Sequence, residues 1–146
     1  MRILLIGDIV GKPGRRAIEG LLEKTIADHE IEFTIANGEN AAGGMGITPA
    51  IAIEILDQGV DVLSTGNHIW AKKESIPFLS EERKILRPAN YPDPAPGRGL
   101  GVFESRNGKK VGVLNLEGRV FMRNLDCPFR VGERKVELLK EETNTI

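Results

Sequence analysis

Cysteine is almost absent: Cys127 is the only one in 146 residues. That excludes a disulfide framework within the chain and a Cys-rich zinc site, and it suits a reducing, cytoplasmic setting. Aromatic residues make up 5%, too few for a platform on which single-stranded bases stack. Neither sign of charge is in excess. The formal net charge is −1, which gives no support to general nucleic-acid binding, because such binders are basic. Long apolar runs are missing too. The N-terminal run from Ile3 to Ile6 meets Gly7-Asp8 at once, so it is too short for a signal-peptide core or a membrane span. Histidine occurs only as His29 and His68. Internal repeats and low-complexity segments are not found.

The remaining composition is that of an ordinary globular domain, 40% apolar and 28% charged. A chain of this length makes one domain and buries roughly 68–70% of its unfolded surface. Ile3 to Ile6, a continuous apolar run closed by Gly7, reads as a strand buried on both faces. Pro13 suits the first turn of a helix, and Ile18, Leu21, Leu22 and Ile26 form one apolar stripe behind it. Phe33 to Ala36 reads as a second strand. Thr48-Pro49 starts a helix, with Thr as N-cap and Pro at the first position. Ile51, Ile55 and Leu56 turn inward from it, and it ends near Gly59. Val60 to Leu63 reads as a third strand.

Strands alternating with helices predict right-handed βαβ units and a parallel sheet, an α/β fold. The character then changes. Residues 74–82 read as a short helix, and residues 87–97 as an irregular Pro-rich connection. Leu100 to Glu104 and Lys110 to Leu116 flank Arg106-Asn107-Gly108-Lys109, whose Asn-Gly is a strong hairpin signal. A last amphipathic helix runs from Val131 to Glu142 through Val136, Leu138 and Leu139.

Polar tracts close three successive strands: Gly7-Asp8, Asn37-Gly38-Glu39-Asn40 and Gly66-Asn67-His68. Taken singly, Asp8 reads either as a metal ligand at the strand end or as a turn or capping residue, and Asn-Gly-Glu-Asn reads as a polar turn. A Walker A reading of residues 7–12 fails, because the spacing is one residue short and Pro13 replaces the Ser or Thr. His29, at a predicted helix end, reads as an ordinary surface or core residue. Trp70 is either packing or the wall of a substrate pocket. Taken together, the tracts are stronger. The carboxyl ends of neighbouring parallel strands lie side by side, where ligands bind in open α/β sheets. Asp8, Glu39, Asn40 and Asn67 then converge, with His68 beside them. Two carboxylates and two amide oxygens make a hard, oxygen-rich cation site.

These tracts, extended to Ile6-Gly7-Asp8-Ile9-Val10-Gly11-Lys12-Pro13-Gly14-Arg15, Ala36-Asn37-Gly38-Glu39-Asn40-Ala41-Ala42-Gly43-Gly44 and Thr65-Gly66-Asn67-His68, resemble the YmdB-like family of the calcineurin-like metallophosphoesterase superfamily. Arg87-Pro88-Ala89-Asn90-Tyr91-Pro92 and Asn115-Leu116-Glu117-Gly118-Arg119 extend the likeness over nearly the whole chain. Val10 stands where the wider superfamily has a His, as it does in this family. The resemblance implies an αββα sandwich with a dinuclear metal centre, iron or manganese, and phosphodiesterase activity on cyclic nucleotides such as 2′,3′-cyclic AMP. Carried over, Asp8 and Asn40 bind the first metal, Glu39 bridges both, and Asn67 binds the second. His68 acts near the leaving group, as general acid or phosphate contact, while a metal-activated water attacks in line.

Family members continue past this length into Asp-Phe-His and His-x-His segments that supply three more ligands. The expectation is therefore that residues 1–146 are the N-terminal portion of the domain. An oxygen-only remnant suits magnesium, manganese or calcium better than metals that favour imidazole. Uncovered apolar surface would invite self-association, hence a homo-oligomer. The alternative is a catalytically incomplete metal- or nucleotide-binding remnant, or a subunit completed by a partner chain. An RNA- or regulator-binding module is weaker still, since Arg15-Arg16 and Lys72-Lys73 are short basic pairs of the kind found on solvated faces.

Overall fold

A computed structural model describes residues 1–146. The chain alternates strands and helices, then closes on a hairpin and a helix. Its elements are β1 (Ile3–Ile6), α1 (Gly11–Asp28), β2 (Phe33–Asn37), α2 (Pro49–Asp57), β3 (Val62–Ser64), a 3₁₀ turn (Asn67–Trp70), α3 (Ser75–Glu81), β4 (Ile85–Leu86), β5 (Leu100–Glu104), β6 (Lys110–Leu114) and α4 (Pro128–Lys140).

Strands β1 to β4 pair in parallel in their chain order, with Ile6 opposite Ala36, Ala36 opposite Leu63 and Leu63 opposite Ile85. Right-handed crossovers that all step in one direction put every connecting helix on the same face. Ile18 and Leu22 of α1, Ala52 and Ile55 of α2 and Leu79 of α3 accordingly share one core with Ala36, Leu63 and Ile85. The opposite face is taken by the β5–β6 hairpin. Phe33, Val62 and Leu86 pack there against Val111 and Val113, and the Phe33 and Phe103 rings lie 6.4 Å apart. Val111 and Val113 alternate with Gly112, which turns to the far side of the hairpin and meets Leu139 of α4. The result is four layers: helices, parallel sheet, hairpin, helix.

Local chemistry sets several boundaries. The Thr48 side chain accepts from the Ile51 N–H with Pro49 behind it, as expected. Gly108, at φ +77°, makes the turn of the Asn-Gly hairpin. Arg87 is buried, and its guanidinium donates to the Pro88, Pro96 and Ala95 carbonyls, wrapping the Pro-rich connection around a cation. Burial pulls its pKa down, against the pull of Asp93.

Four expectations need correction. β1 is not buried on both faces: the hairpin covers β2 to β4, and Leu5 is 72% exposed. Leu21 and Leu138, placed on apolar stripes, are exposed as well. The third strand is shifted to Val62–Ser64, and α4 starts earlier, at Pro128. No helix is long and apolar enough to cross a membrane.

Candidate metal centre

The parallel register carries the three polar tracts to one edge of the sheet. β1 releases the chain at Gly7-Asp8, β2 at Gly38-Glu39-Asn40 and β3 at Thr65-Gly66-Asn67. Backbone bonds then lock the tracts together. Ile9 N–H donates to the Asn37 carbonyl and Gly11 N–H to that of Asn40, both at 2.9 Å, and Gly38 N–H donates to Ser64 at 3.0 Å. The third tract is fixed from behind, where the Asn115 amide donates to the Thr65 carbonyl at 2.6 Å.

On this frame four side chains form one series. The Asn40 amide nitrogen donates to both oxygens of Asp8, at 3.0 and 2.9 Å. The Asn40 oxygen faces Nδ1 of His68 at 2.6 Å; it can only accept, so that nitrogen carries the proton. The His68 backbone N–H donates to Glu39 Oε2 at 3.0 Å. Glu39 is also held by Asn37, whose amide meets Oε1 at 3.4 Å and whose oxygen accepts the Glu39 N–H at 3.1 Å. Asn67 opens the 3₁₀ turn half-buried, and its amide joins none of these bonds.

Gly66 is the residue that lets Glu39 lie where it does. A β-carbon there would stand 2.7 Å from Glu39 Oε1, inside contact distance. Glycine supplies close approach here rather than an unusual dihedral.

The donors, two carboxylates, two amides and one imidazole, fit a hard divalent cation held mainly on oxygen. For Asn40 to ligate beside Asp8 its amide must turn, exchanging the N–H it now offers the carboxylate for its oxygen. No three His, Cys, Asp or Glu side chains are grouped as a metal cage.

Trp70 is packing. Its ring meets the Tyr91 ring edge-on at 5.6 Å. Behind it lies a group that the sequence reading assigned no role. The Tyr91 hydroxyl donates to buried Glu117 Oε2 at 3.0 Å, while Glu117 Oε1 is buried without a partner. Asn90 clamps Glu117 through both backbone groups. Tyr91 lies in the motif of residues 87–92 and Glu117 in that of residues 115–119, but only the fold pairs them. His29 caps the end of α1 at the surface, as expected.

Helices over a parallel sheet, backed by a hairpin and a further helix, with polar tracts at three strand ends, define a metallophosphoesterase-like α/β fold. The chain belongs to the YmdB-like protein family, whose model matches residues 4–146. It is 44% identical over 129 residues to the 2′,3′-cyclic-nucleotide 2′-phosphodiesterase of Bacillus subtilis, covering 88% of this chain and 48% of that protein. A hypothetical protein from Thermus thermophilus superposes with a TM-score of 0.86 at 41% identity, over 94% of this chain and 53% of the other. A novel phosphatase from Mycoplasma pneumoniae gives 0.84 at 26% identity, over 93% and 50%. The chain thus spans about half the length of the relatives it matches.

Proposed function

We propose that the strand-end cluster is a divalent-metal site of a phosphodiesterase acting on cyclic nucleotides such as 2′,3′-cyclic AMP. The observation that carries this reading is the series Asp8, Asn40, His68, Glu39, joined by contacts of 2.6 to 3.0 Å. The name of the Bacillus relative supports the substrate class.

Asp8, Glu39 and Asn40 would hold the first cation, iron or manganese, and Glu39 and Asn67 would reach a second. Such ions polarise phosphoryl oxygens and acidify water at neutral pH. With the Asn40 amide turned so that its oxygen meets the cation, its N–H faces Nδ1 of His68, which then accepts, so the ring proton sits on Nε2 and is offered to the phosphate as a hydrogen bond. Water adds to phosphorus as the P–O2′ bond breaks, and the proton released by that water passes to the 2′ oxygen. Residues 1–146 act on this reading as the N-terminal portion of the domain, in a reducing, cytoplasmic setting where Cys127 stays free.

A second reading rests on the lack of a three-residue cage of ionisable ligands. It makes the chain a metal- or nucleotide-binding remnant, or a subunit that needs a partner, and exposed Leu5 on β1 supports association with a second copy. Hydrolysis of 2′,3′-cyclic AMP with added manganese or ferrous iron separates the two. The first reading expects turnover that Asp8→Ala and Glu39→Ala each reduce by about a hundredfold or more. Turnover equal in parent and variants would reject these ligands, and turnover only with an added partner chain would favour the second reading.

A further inference from the structure

Away from the strand ends, a cavity of about 550 Å³ opens at the start of α4, and Arg119, Arg130 and Arg134 line it with Asp126, Cys127 and Glu133. None of the three guanidiniums lies in an ion pair; the chain's six pairs are elsewhere. Arg119 reaches only the Leu125 carbonyl, at 3.4 Å. Three unpaired cations against two carboxylates leave the concavity positive, a field that favours an anion. Guanidinium forks match phosphate oxygens in pairs, and the first N–H groups of a 13-residue helix add to the field.

The thiol of Cys127 senses this field. The Arg130 N–H lowers its pKa most, partial desolvation opposes, and the Phe129 N–H with the Arg119 and Arg130 charges lowers it further. A neighbouring cavity shares Asp126, Val131 and Arg134 with it and extends to Tyr91. The Tyr91 ring meets Trp70, two residues beyond His68.

We propose that this arginine cavity is a phosphate-binding site, separate from the strand-end cluster. Its volume lies in the range of pockets that hold ligands larger than a bare phosphate. The phosphate belongs either to an internal linkage of a nucleotide strand whose end lies at the strand-end cluster, or to a free polyphosphate compound. The contacting chemistry is the same.

The test is calorimetric titration of the chain with inorganic pyrophosphate in the presence of a chelator, so that no cation at the strand ends takes part. Saturable binding is expected, about tenfold weaker or more in the double variant Arg130→Ala/Arg134→Ala, since two charge-assisted contacts go. Both arginines are exposed, so the variant should fold, which circular dichroism checks. Arg16→Ala, on exposed α1 surface, should bind as the parent does. Pyrophosphate should also slow alkylation of Cys127 by iodoacetamide, where sodium chloride of equal ionic strength does not. A short oligoribonucleotide that displaces pyrophosphate identifies a strand as the source; failure to displace it identifies a free polyphosphate. Absence of saturable binding, equal affinity in the double variant, or equal protection by sodium chloride would overturn the proposal.

Discussion

The carboxylate of Glu39 lies directly over Gly66, so close that a β-carbon on Gly66 would stand 2.7 Å from Oε1. The clash is with the far end of a flexible side chain, and Gly66 sits at φ −139°, ψ −140°, outside the left-handed region. Gly66→Ala should therefore leave stability within about 1 kcal/mol of the parent while displacing the carboxylate. Manganese affinity should fall by about tenfold or more, as when a metal-site support is removed. Gly99→Ala provides the contrast: its β-carbon would stand 2.3 Å from the Ala89 Cα, a backbone atom that cannot turn aside. That variant should lose about 2–4 kcal/mol in urea unfolding. Similar losses in the two variants would contradict the assignment.

Tyr91→Phe removes the one side-chain hydrogen bond of a buried carboxylate, Glu117, whose other oxygen is already unpartnered. The expected cost is about 1–3 kcal/mol near neutral pH. Burial, and then the bond to Glu117, raise the Tyr91 pKa above 10.0. Above that pH the unfolded chain has lost a proton that the folded chain keeps. The parent's advantage is thus whole below pH 10 and declines as pH rises through the folded value. Urea unfolding from pH 8 to 11 should show the gap between parent and variant narrowing; parallel curves would contradict it.

The sequence made the strands and their polar ends legible because both are local signals. Apolar runs closed by glycine marked β1 and β2, and Thr48-Pro49 marked α2. β4 was illegible: Ile85-Leu86 is two residues long, and its pairing is supplied by Leu63 and Ser64. The exposure of Leu5 was also hidden. A continuous apolar run signals two covered faces, but whether anything covers the second depends on how far the hairpin reaches. Within the candidate site, the residue types were readable from their place at strand ends. The way Asn40 spans Asp8 and His68 was not, since it depends on side-chain orientation across 28 and 32 residues of chain. Glu117 and Tyr91, 26 residues apart, are paired by the same kind of long-range packing.

Leu5 gives a test of association. It is 72% exposed on edge strand β1, with Ile3 40% exposed on the same face, and an uncovered apolar edge is a surface for pairing. Leu5→Glu should leave monomer stability within about 0.5 kcal/mol of the parent and shift sedimentation toward monomer. An unchanged distribution would remove β1 from any interface.

On the proposed function, Asp8, Asn40 and Glu39 hold a cation at the strand ends. Elemental analysis of protein purified without chelator, normalised per chain, tests it most directly. The account predicts about one iron or manganese per chain, the load an oxygen set of this size can hold, and almost none in Asp8→Ala. Metal well below one per chain in the parent, or the same content in Asp8→Ala, would contradict it.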